Sequence, residues 1–309
     1  MAPRRTGGRS SNLGGGQRDG PPGSRAQGCQ ARGAEVTTLD ELTSGWRPRL
    51  IASDVDGTLI NSAERVIPRL AQSIERAVDE GCEVALATGR PFRWIQMVLD
   101  QLPVQPVCVT SNGAVLYDSA DDTVLEAHQL QPAAMAHAFE VANDLFTDRG
   151  GVSLACERLD GFYVAPDYFH TWEEQGFEVL GAAEVVAEPA VKMILRNVDM
   201  TAPEMYEALA PLIDADSLHL TYSINAGLLE LAAPGVTKAL GVQALCRLHG
   251  VDISQVVAFG DMPNDIEMLR AARLGVAMGN ADPRVTENAD YVTATNDEGG
   301  VADVLERWF

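Results

Sequence analysis

The sequence predicts an α/β fold: a doubly wound, mainly parallel, Rossmann-like sheet with an inserted α+β domain. Short apolar runs alternate with helical patterns over residues 50–110 and again over residues 237–309, which is typical of strands and helices packed in layers. Between these regions the alternation stops and several strand-like runs follow one another. We therefore expect residues 47–130 and 225–309 to share one core domain and residues 131–224 to form the insertion.

The first part of the core begins with RLIASD, an uninterrupted apolar run that is typical of a strand buried on both faces of a parallel sheet. Pro68 then opens a helix, because proline fits the first helical position. Leu70 and Ile74 lie four residues apart on one face of that helix, and Gly81 closes it. The elements predicted here are strands at residues 49–54, 83–88 and 107–110 and helices at residues 68–80 and 91–102.

The insertion and the second part of the core have different patterns. In the insertion, helices mixed with consecutive strand-like runs favour antiparallel pairing. Its predicted helices cover residues 135–146 and 203–213, and its predicted strands cover residues 151–156, 161–165, 191–196 and 218–223. The second part of the core returns to alternation, with predicted helices at residues 237–249, 264–272 and 301–309 and predicted strands at residues 255–260 and 274–279.

Composition limits the kinds of partner. The net charge of −21 argues against nonspecific binding to nucleic acid and against attraction to anionic membranes. A small anionic substrate is compatible with this charge, because a few local cations can dominate inside a cleft. The five cysteines are scattered without a Cys-x-x-Cys pair, so we expect reduced thiols and a cytoplasmic location. The sequence does not indicate an oligomeric state.

The start of the chain has a composition of its own. Within residues 1–46, the first ~35 are rich in Gly, Arg, Ser and Pro and contain almost no large apolar residue, so they cannot offset the entropy lost on ordering. We expect this segment to be a disordered tail. Either a basic tail that binds an acidic partner or a translation start placed too far upstream would produce this composition.

Asp54 and Asp56 follow the first predicted strand with a single valine between them. Residues two apart along a strand point to the same side, and the carboxyl end of a parallel strand faces the ligand crevice. Two carboxylates there can bind Mg²⁺, and one can attack phosphorus while the other moves a proton. Gly57 lets the chain turn away at once. An Asp-Gly hairpin turn is the alternative explanation.

The second predicted strand also ends in small polar residues, Thr88 and Gly89, just before a predicted helix. A threonine hydroxyl and backbone N–H groups at such a position can bind a phosphate oxygen. The alternative is an ordinary threonine that caps the helix.

Lys238 lies at the start of a predicted helix, where a positive charge is unfavourable for the helix dipole. This local conflict indicates a functional role, although a surface lysine is the alternative. Asp261, Asn264 and Asp265 follow the next predicted strand. Asp261 can complete a Mg²⁺ site with Asp54, and Asp265 can orient the lysine or the water molecules of the metal. Each of these residues taken alone could be a helix cap.

Together these segments resemble the haloacid dehalogenase superfamily, and most closely its Cof-type phosphatases, which have a type IIB cap domain. The segments that carry the resemblance are DVDGTL at 54–59, TGR at 88–90, Lys238, GDMPNDIEML at 260–269, SNGA at 111–114, GVAMGNA at 275–281 and YVTATNDEGGV at 291–301. The resemblance covers residues 50–309.

The resemblance implies a Mg²⁺-dependent phosphatase that hydrolyses a small phosphorylated metabolite through an aspartyl-phosphate. Sugar phosphates and cofactor phosphates, such as flavin mononucleotide or pyridoxal phosphate, are the implied substrates. Asp54 is then the nucleophile, and Asp56 is the general acid and base. The implied phosphate ligands are Thr88, Gly89, Lys238 and Asn264, and the implied metal ligands are Asp54, Asp56 through its backbone carbonyl, Asp261 and Asp265.

Two other functions fit parts of the pattern. A sugar phosphomutase of the same superfamily would return the phosphoryl group to a sugar instead of to water. A receiver-like signalling module also uses acidic residues, Mg²⁺, threonine and lysine, but receivers have no large insertion.

The resemblance implies that the insertion is a cap that selects the substrate. Its candidate selectors are Tyr163, Tyr168, His170, Trp172 and Arg196.

Overall fold

The described residues form three sheets and the helices that pack against them. Residues 38–168 and 176–309 are described by the computed structural model. Within these ranges the strands, numbered along the chain, are β1 (Leu50–Ser53), β2 (Glu83–Leu86), β3 (Val107–Thr110), β4 (Val115–Asp118), β5 (Thr123–Ala127), β6 (Ser153–Glu157), β7 (Phe162–Val164), β8 (Glu178–Val179), β9 (Lys192–Arg196), β10 (His219–Thr221), β11 (Leu228–Ala232), β12 (Val256–Gly260), β13 (Leu274–Ala277) and β14 (Tyr291–Val292). The helices are α1 (Leu39–Thr43), α2 (Pro68–Asp79), α3 (Gln96–Leu99), α4 (Pro132–Leu145), α5 (Ala182–Val185), α6 (Ala202–Leu209), α7 (Lys238–His249), α8 (Ile266–Ala271), α9 (Pro283–Thr286) and α10 (Gly300–Leu305).

The parallel sheet predicted for the core contains five strands in the order β14-β13-β12-β1-β2. All neighbouring pairs in this sheet are parallel. β1 lies in the interior of the sheet, and its four residues are buried, which explains its uninterrupted apolar sequence. Ser53 of β1 lies opposite Phe259 of β12. The segments that follow these two strands therefore leave the sheet side by side.

The third predicted strand belongs to a different sheet from the one expected. β3 pairs antiparallel with β4, and β4 pairs antiparallel with β5. A parallel bridge between Ala87 and Val109 joins this small sheet to the end of β2. β4 and β5 lie outside every predicted strand, because their short apolar runs flank a turn rich in acidic residues.

Most predicted helices of the core are present, but two of them begin differently. The helix predicted at residues 91–102 is a 3₁₀ turn at Phe92–Trp94 followed by α3, and the helix predicted at residues 264–272 begins with a 3₁₀ turn at Pro263–Asp265. Such tight turns are common at helix ends. Among the helices of the described ranges, none is long and apolar enough to cross a membrane.

The inserted domain, called the cap below, has a sheet with the strand order β10-β11-β9-β6-β7-β8. Its pairs are antiparallel except for β7 with β8. Met135 of α4 and Met205 of α6 are buried in one apolar cluster with Leu195 of β9, so these helices cover one face of the sheet. β11 extends the cap sheet past the predicted boundary at residue 224, so the chain returns to the core after Ala232.

A short helix, α1, lies within the segment predicted to be disordered. Thr38 and Glu41 form a reciprocal capping box that satisfies its first N–H groups. Leu39 is buried, and the ring of Trp46 packs edge-on against Trp308, with 5.2 Å between the ring centroids. Disorder is therefore the wrong prediction for residues 38–46, because contacts with the C-terminus stabilise them. The rest of the predicted tail lies outside the described residues.

Candidate active site

Asp54 follows β1 directly and lines a cavity between the core and the cap. Its backbone N–H donates to the carbonyl of Phe259 at 3.0 Å, which extends the pairing of β1 with β12 by one residue. The residue is 5% exposed. Burial raises the pKa of Asp54 well above its ordinary value, and the charge of Lys238 acts against this rise.

Lys238 is the first residue of α7 and is 1% exposed. Its ammonium group lies 2.6 Å from Oδ1 of Asp54 and 2.6 Å from Oδ1 of Asp265. Burial alone would lower the pKa of Lys238, but these two carboxylates raise it above the ordinary value. They also offset the unfavourable position of a cation at a helix N-terminus. The predicted functional lysine is thus in direct contact with the first predicted carboxylate.

Asp261 and Asp265 come from the loop and turn that follow β12. One oxygen of Asp265 accepts the N–H groups of Asp261 and Met262, both at 3.0 Å, while the other contacts Lys238. Asp265 is fully buried, so its carboxylate fixes both the loop and the lysine. Asp261 is 6% exposed, and its side chain is turned toward the segment that follows Asp54.

Gly57 is required where the chain leaves Asp56, because it has a φ of +77° and lies against Asp261. A Cβ atom at this position would lie 2.3 Å from Oδ2 of Asp261. Thr58 then donates to Oδ1 of Asp261 at 3.0 Å, and Asn280 donates to the carbonyl of Gly57 at 2.8 Å. The turn therefore holds the Asp261 carboxylate in place as well as redirecting the chain.

Carboxylate oxygens of Asp54, Asp261 and Asp265 all lie within 4.8 Å of one another. If all three are ionised, they and the Lys238 ammonium leave a buried net charge of −2. Burial and the charge of Asp265 raise the pKa of Asp261 to about 7, as expected for a cluster with excess negative charge. Hard oxygen ligands with this charge fit a divalent cation of the Mg²⁺ type.

The Asp56 side chain lies outside this carboxylate cluster. Its side chain is 53% exposed and is paired with the guanidinium of Arg90, with contacts of 2.8 Å and 2.5 Å. Among the described residues, the group of carboxylates close enough to share a metal does not include the Asp56 side chain. Coordination by its backbone carbonyl stays a prediction. Asp56 lines the cavity together with Asp54.

Two of the predicted phosphate ligands, Gly89 and Asn264, line the cavity, whereas its described lining residues do not include Thr88 or Lys238. Thr88 is fully buried, and its Oγ1 accepts the N–H of Arg90 at 3.0 Å. Asn264 is 5% exposed and donates to Oδ1 of Asn112 at 3.0 Å. Oδ1 of Asn264 is buried and has no hydrogen-bond partner within the described part of the chain. Asn112 has a φ of +59°, which asparagine tolerates better than most residues.

The cavity has a volume of about 640 Å³, and the part of its lining where Trp94, Phe162, Ile194, Ile224 and Leu228 form one apolar cluster is called the apolar end below. Its charged and polar lining residues are Asp54, Asp56, Glu64, Arg90, Lys192, Ser223, Glu230 and Asn264. Its apolar lining residues are Pro91, Trp94, Met97, Phe162, Ile194, Ile224, Leu228 and Met262. The described lining residues do not include Tyr163, Tyr168 or Arg196, and the other two candidate selectors, His170 and Trp172, lie outside the described residues.

Sequence reasoning missed a group of buried charges on the cap sheet. Glu157, Lys192 and Glu230 lie on β6, β9 and β11 and are at most 4% exposed. Burial raises the pKa of Glu157, whereas at Glu230 burial is outweighed by the charge of Lys192 together with hydrogen bonds to Ser223, Lys192 and Asn112, and the pKa is lowered. The available signal was a charged residue within each of three otherwise apolar strands, which is costly unless the charges are paired.

A family model for haloacid dehalogenase-like hydrolases matches residues 51–305, which includes both parts of the core and the whole cap. The chain belongs to the haloacid dehalogenase-like hydrolases. This confirms the resemblance carried by the motifs around Asp54, Thr88, Lys238 and Asp261. It also excludes a lone receiver module, because the matched region contains the inserted domain.

Several relatives of this chain are named phosphatases. Two from Bacillus subtilis are named 5-amino-6-(5-phospho-D-ribitylamino)uracil phosphatases. YitU is 28% identical over 85% of this chain and 98% of its own length. YcsE is 30% identical over 84% of this chain and 95% of its own length. The predicted enzyme class, a phosphatase of this superfamily, is confirmed by these matches.

Solved structures of haloacid dehalogenase phosphatases share the fold. The subclass IIB sugar phosphatase BT4131 matches with a TM-score of 0.72 and 24% identity, over 84% of this chain and 98% of its own. BT1666 from Bacteroides thetaiotaomicron matches with a TM-score of 0.70 and 24% identity, over 86% of this chain and 96% of its own. The predicted fold class, a Rossmann-like core with an inserted cap, is confirmed.

Proposed function

We propose that this haloacid dehalogenase phosphatase is a Mg²⁺-dependent phosphomonoesterase that hydrolyses a small phosphorylated metabolite through an aspartyl-phosphate on Asp54. The observation that carries this proposal is the buried Asp54 carboxylate, 2.6 Å from Lys238, at one end of a cavity large enough for a metabolite. A carboxylate in this position can attack phosphorus, provided that cations offset its repulsion from the phosphate.

The side chains divide the chemistry between them. Asp54 attacks the phosphorus atom, and Lys238 favours the ionised form of its carboxylate and balances the charge of the phosphoryl oxygens. Mg²⁺ would be held by Asp54, Asp261 and the Asp56 carbonyl, with Asp265 in support, and would supply further charge neutralisation. Asp56 protonates the leaving oxygen and then accepts a proton from the attacking water. In this scheme the Arg90 guanidinium orients the Asp56 carboxyl group.

The apolar end of the cavity supports a substrate whose leaving group carries an apolar or planar part. Trp94 and Phe162 lie with their ring centroids 4.9 Å apart, next to Ile194 and Leu228. A fully hydroxylated sugar would leave these surfaces without complementary groups. YitU and YcsE are named for a phosphorylated ribitylaminouracil, whose pyrimidine ring has this character. We propose substrates of this kind ahead of simple sugar phosphates.

A matched pair of substrates tests this proposal. Flavin mononucleotide and ribitol 5-phosphate carry the same phosphorylated polyol chain, with and without a heteroaromatic ring. With Mg²⁺ we expect kcat/KM to be at least about tenfold higher for the flavin compound, since burying a ring contributes more than 1.4 kcal/mol. The variant Phe162→Ala should reduce this ratio. A higher kcat/KM for ribitol 5-phosphate would contradict the proposed substrate class, and no Mg²⁺-dependent turnover of any phosphomonoester would contradict the proposed function.

A pH-dependent response to Mg²⁺ follows from the carboxylate cluster. Asp261 has a folded-state pKa of about 7 against an ordinary value of 3.8. Between these two pH values, the metal-free folded protein therefore keeps a proton on Asp261 that the unfolded chain has released, and this stabilises the folded state. This contribution to stability is complete below pH 3.8 and is lost as the pH rises through 7. Because metal binding requires ionised carboxylates, we expect Mg²⁺ to raise the melting temperature more at pH 8 than at pH 5.5.

The variant Asp261→Asn isolates this effect. Without metal at pH 8, it should be more stable than the native chain, because one buried negative charge is absent. Mg²⁺ should then raise its melting temperature little at either pH. An equal Mg²⁺-induced rise in variant and native protein would show that Asp261 is not a ligand.

A cytoplasmic location also belongs to the proposal. The described cysteines Cys82, Cys108, Cys156 and Cys246 have free thiols and are buried, which supports a reducing compartment.

A further inference from the structure

Only two of the 309 residues are lysines, whereas 21 are arginines. Both lysines are buried in the region of the active site, Lys238 at 1% and Lys192 at 4% exposure. Lys238 contacts the nucleophile. Lys192 lies on β9 of the cap and has no role in the mechanism proposed above. A compact ammonium group at this position, in a chain that otherwise uses arginine, requires an explanation.

Lys192 connects the cap to the phosphate-binding loop of the core, residues 88–90. Its ammonium group donates to the carbonyl of Gly89 at 2.5 Å and to Oε1 of Glu230 at 3.1 Å. Oε2 of Glu157 lies 3.7 Å away. We call Glu157, Lys192 and Glu230 the cap triad. When all three groups are ionised, the cap triad carries a net charge of −1. One N–H group of the Lys192 ammonium is directed at the core, where it donates to the Gly89 carbonyl.

The carbonyl that Lys192 contacts belongs to the peptide unit between Gly89 and Arg90. The N–H of this same unit donates to Oγ1 of Thr88 at 3.0 Å. Since a peptide unit is planar, a rotation that breaks one of these hydrogen bonds also breaks the other. Lys192 therefore fixes the plane of the peptide and, through it, the environment of the Thr88 hydroxyl.

A second contact holds the loop from its other side. Ser111 donates through its hydroxyl to Glu157 of the cap triad at 2.7 Å, and its backbone N–H donates to the carbonyl of Arg90 at 3.0 Å. The N–H of Asn112 donates to the carbonyl of Thr88 at 3.0 Å. The Arg90 end of the loop is therefore held by Ser111, which contacts Glu157 of the cap triad directly. The Thr88 end is held by Asn112, which follows Ser111 in the chain.

We infer that the cap triad positions the phosphate-binding loop, so that the Thr88 hydroxyl is correctly placed only when the cap is seated on the core. This rests on the proposed function and on the phosphate-binding role of Thr88 that the family resemblance implies. Lys192 is a positioning residue, because it contacts the Gly89 carbonyl and none of the reacting groups. The consequence is that cap contacts affect the chemical step even for substrates too small to fill the apolar end of the cavity.

The triple variant Glu157→Gln/Lys192→Met/Glu230→Gln tests this inference. Lys192→Met alone would leave two buried carboxylates without a counter-charge and could prevent folding. Exchanging all three residues for neutral ones of similar volume avoids that problem. The control is Arg158→Met, because the Arg158 guanidinium contacts carbonyls within the cap and the ring of Tyr163. All proteins are compared with p-nitrophenyl phosphate and Mg²⁺, and by hydrogen–deuterium exchange without substrate.

We expect the triple variant to unfold at a urea concentration close to that of the native chain, with kcat reduced about 10- to 100-fold and KM changed much less. Exchange of the peptide that covers residues 87–94 should be faster in the triple variant and unchanged in Arg158→Met. A folded triple variant with native kcat, or with native exchange in this peptide, would overturn the inference. Failure of the native chain to turn over any phosphomonoester would instead overturn the proposed function, and the exchange comparison would still decide the role of the triad.

Discussion

Replacing Asp54 by asparagine is expected to reduce turnover of an aryl phosphate by at least about 10⁴-fold while the protein remains folded. An amide cannot form the aspartyl-phosphate, but it has the same size and can still accept a hydrogen bond from Lys238, 2.6 Å away in the native chain. The rate is measured with Mg²⁺, and folding is measured by circular dichroism and urea unfolding. Because burial raises the pKa of Asp54, removing its charge should not reduce the stability of the metal-free protein at pH 8.

Asp121→Asn is the matched control for this prediction. Asp121 lies in the exposed turn between β4 and β5, so the same change in charge occurs outside the cavity. It should leave both rate and stability close to native values. Turnover by Asp54→Asn at more than one tenth of the native rate would exclude Asp54 as the nucleophile.

Lys238→Met is expected to produce the second largest effect, and it should affect both activity and stability. Without the ammonium group, the buried carboxylates of Asp54 and Asp265 face each other with no counter-charge. Breaking a buried ion pair in this way costs about 3–5 kcal/mol. The loss should be larger at pH 8 than at pH 5, because carboxylates with raised pKa values take up protons at the lower pH. We also expect kcat to fall about 10²- to 10³-fold.

The variant Lys238→Arg tests whether a positive charge at this position is sufficient or whether the compact shape of the ammonium group is also needed. It keeps a cation in contact with the two carboxylates and should retain more stability than Lys238→Met. Its planar guanidinium cannot occupy the position of a compact ammonium group between two oxygens, so turnover should stay well below the native rate. Urea unfolding at both pH values and steady-state kinetics provide the comparison. Native activity in Lys238→Arg, or a pH-independent loss of stability in Lys238→Met, would contradict this account.

The positions of Asp54 and Asp261 could be predicted because each follows a strand of one parallel sheet. Carboxyl ends of neighbouring parallel strands lie at the same edge, so polar residues after two such strands come close together. β1 and β12 are neighbours in register, which brings the two carboxylates within reach of one cation. The unfavourable charge of Lys238 at a helix start was a second local signal, and its two carboxylate partners explain why it is tolerated there.

The cap triad could not be predicted in the same way. Glu157, Lys192 and Glu230 are far apart along the chain, and they meet because β6, β9 and β11 are neighbours in the cap sheet. The order of strands in an antiparallel sheet is not encoded in the alternation of apolar residues along each strand. The same limit explains why β11 lies in the cap sheet rather than in the predicted core.

Local sequence patterns also could not predict contacts between segments that are far apart in the chain. Residues 38–46 belong to the segment predicted to be disordered, yet Leu39 is buried and Trp46 packs against Trp308 near the end of the chain. Nothing near Trp46 in the sequence indicates that partner. The small sheet of β3, β4 and β5 forms between consecutive strands, but its connection to the end of β2 depends on a bridge from Ala87 to Val109.

The covalent intermediate is the central claim, and peptide mass spectrometry of a trapped phosphoenzyme tests it most directly. Asp56→Asn should slow the attack of water, so that the intermediate accumulates when this variant reacts with acetyl phosphate, which needs little help from a general acid. After acid quench and borohydride reduction, we expect the peptide that contains Asp54 to carry homoserine at that position, in a Mg²⁺-dependent manner. Modification at another residue, or Mg²⁺-dependent turnover by Asp56→Asn without any modification of Asp54, would contradict the proposed mechanism.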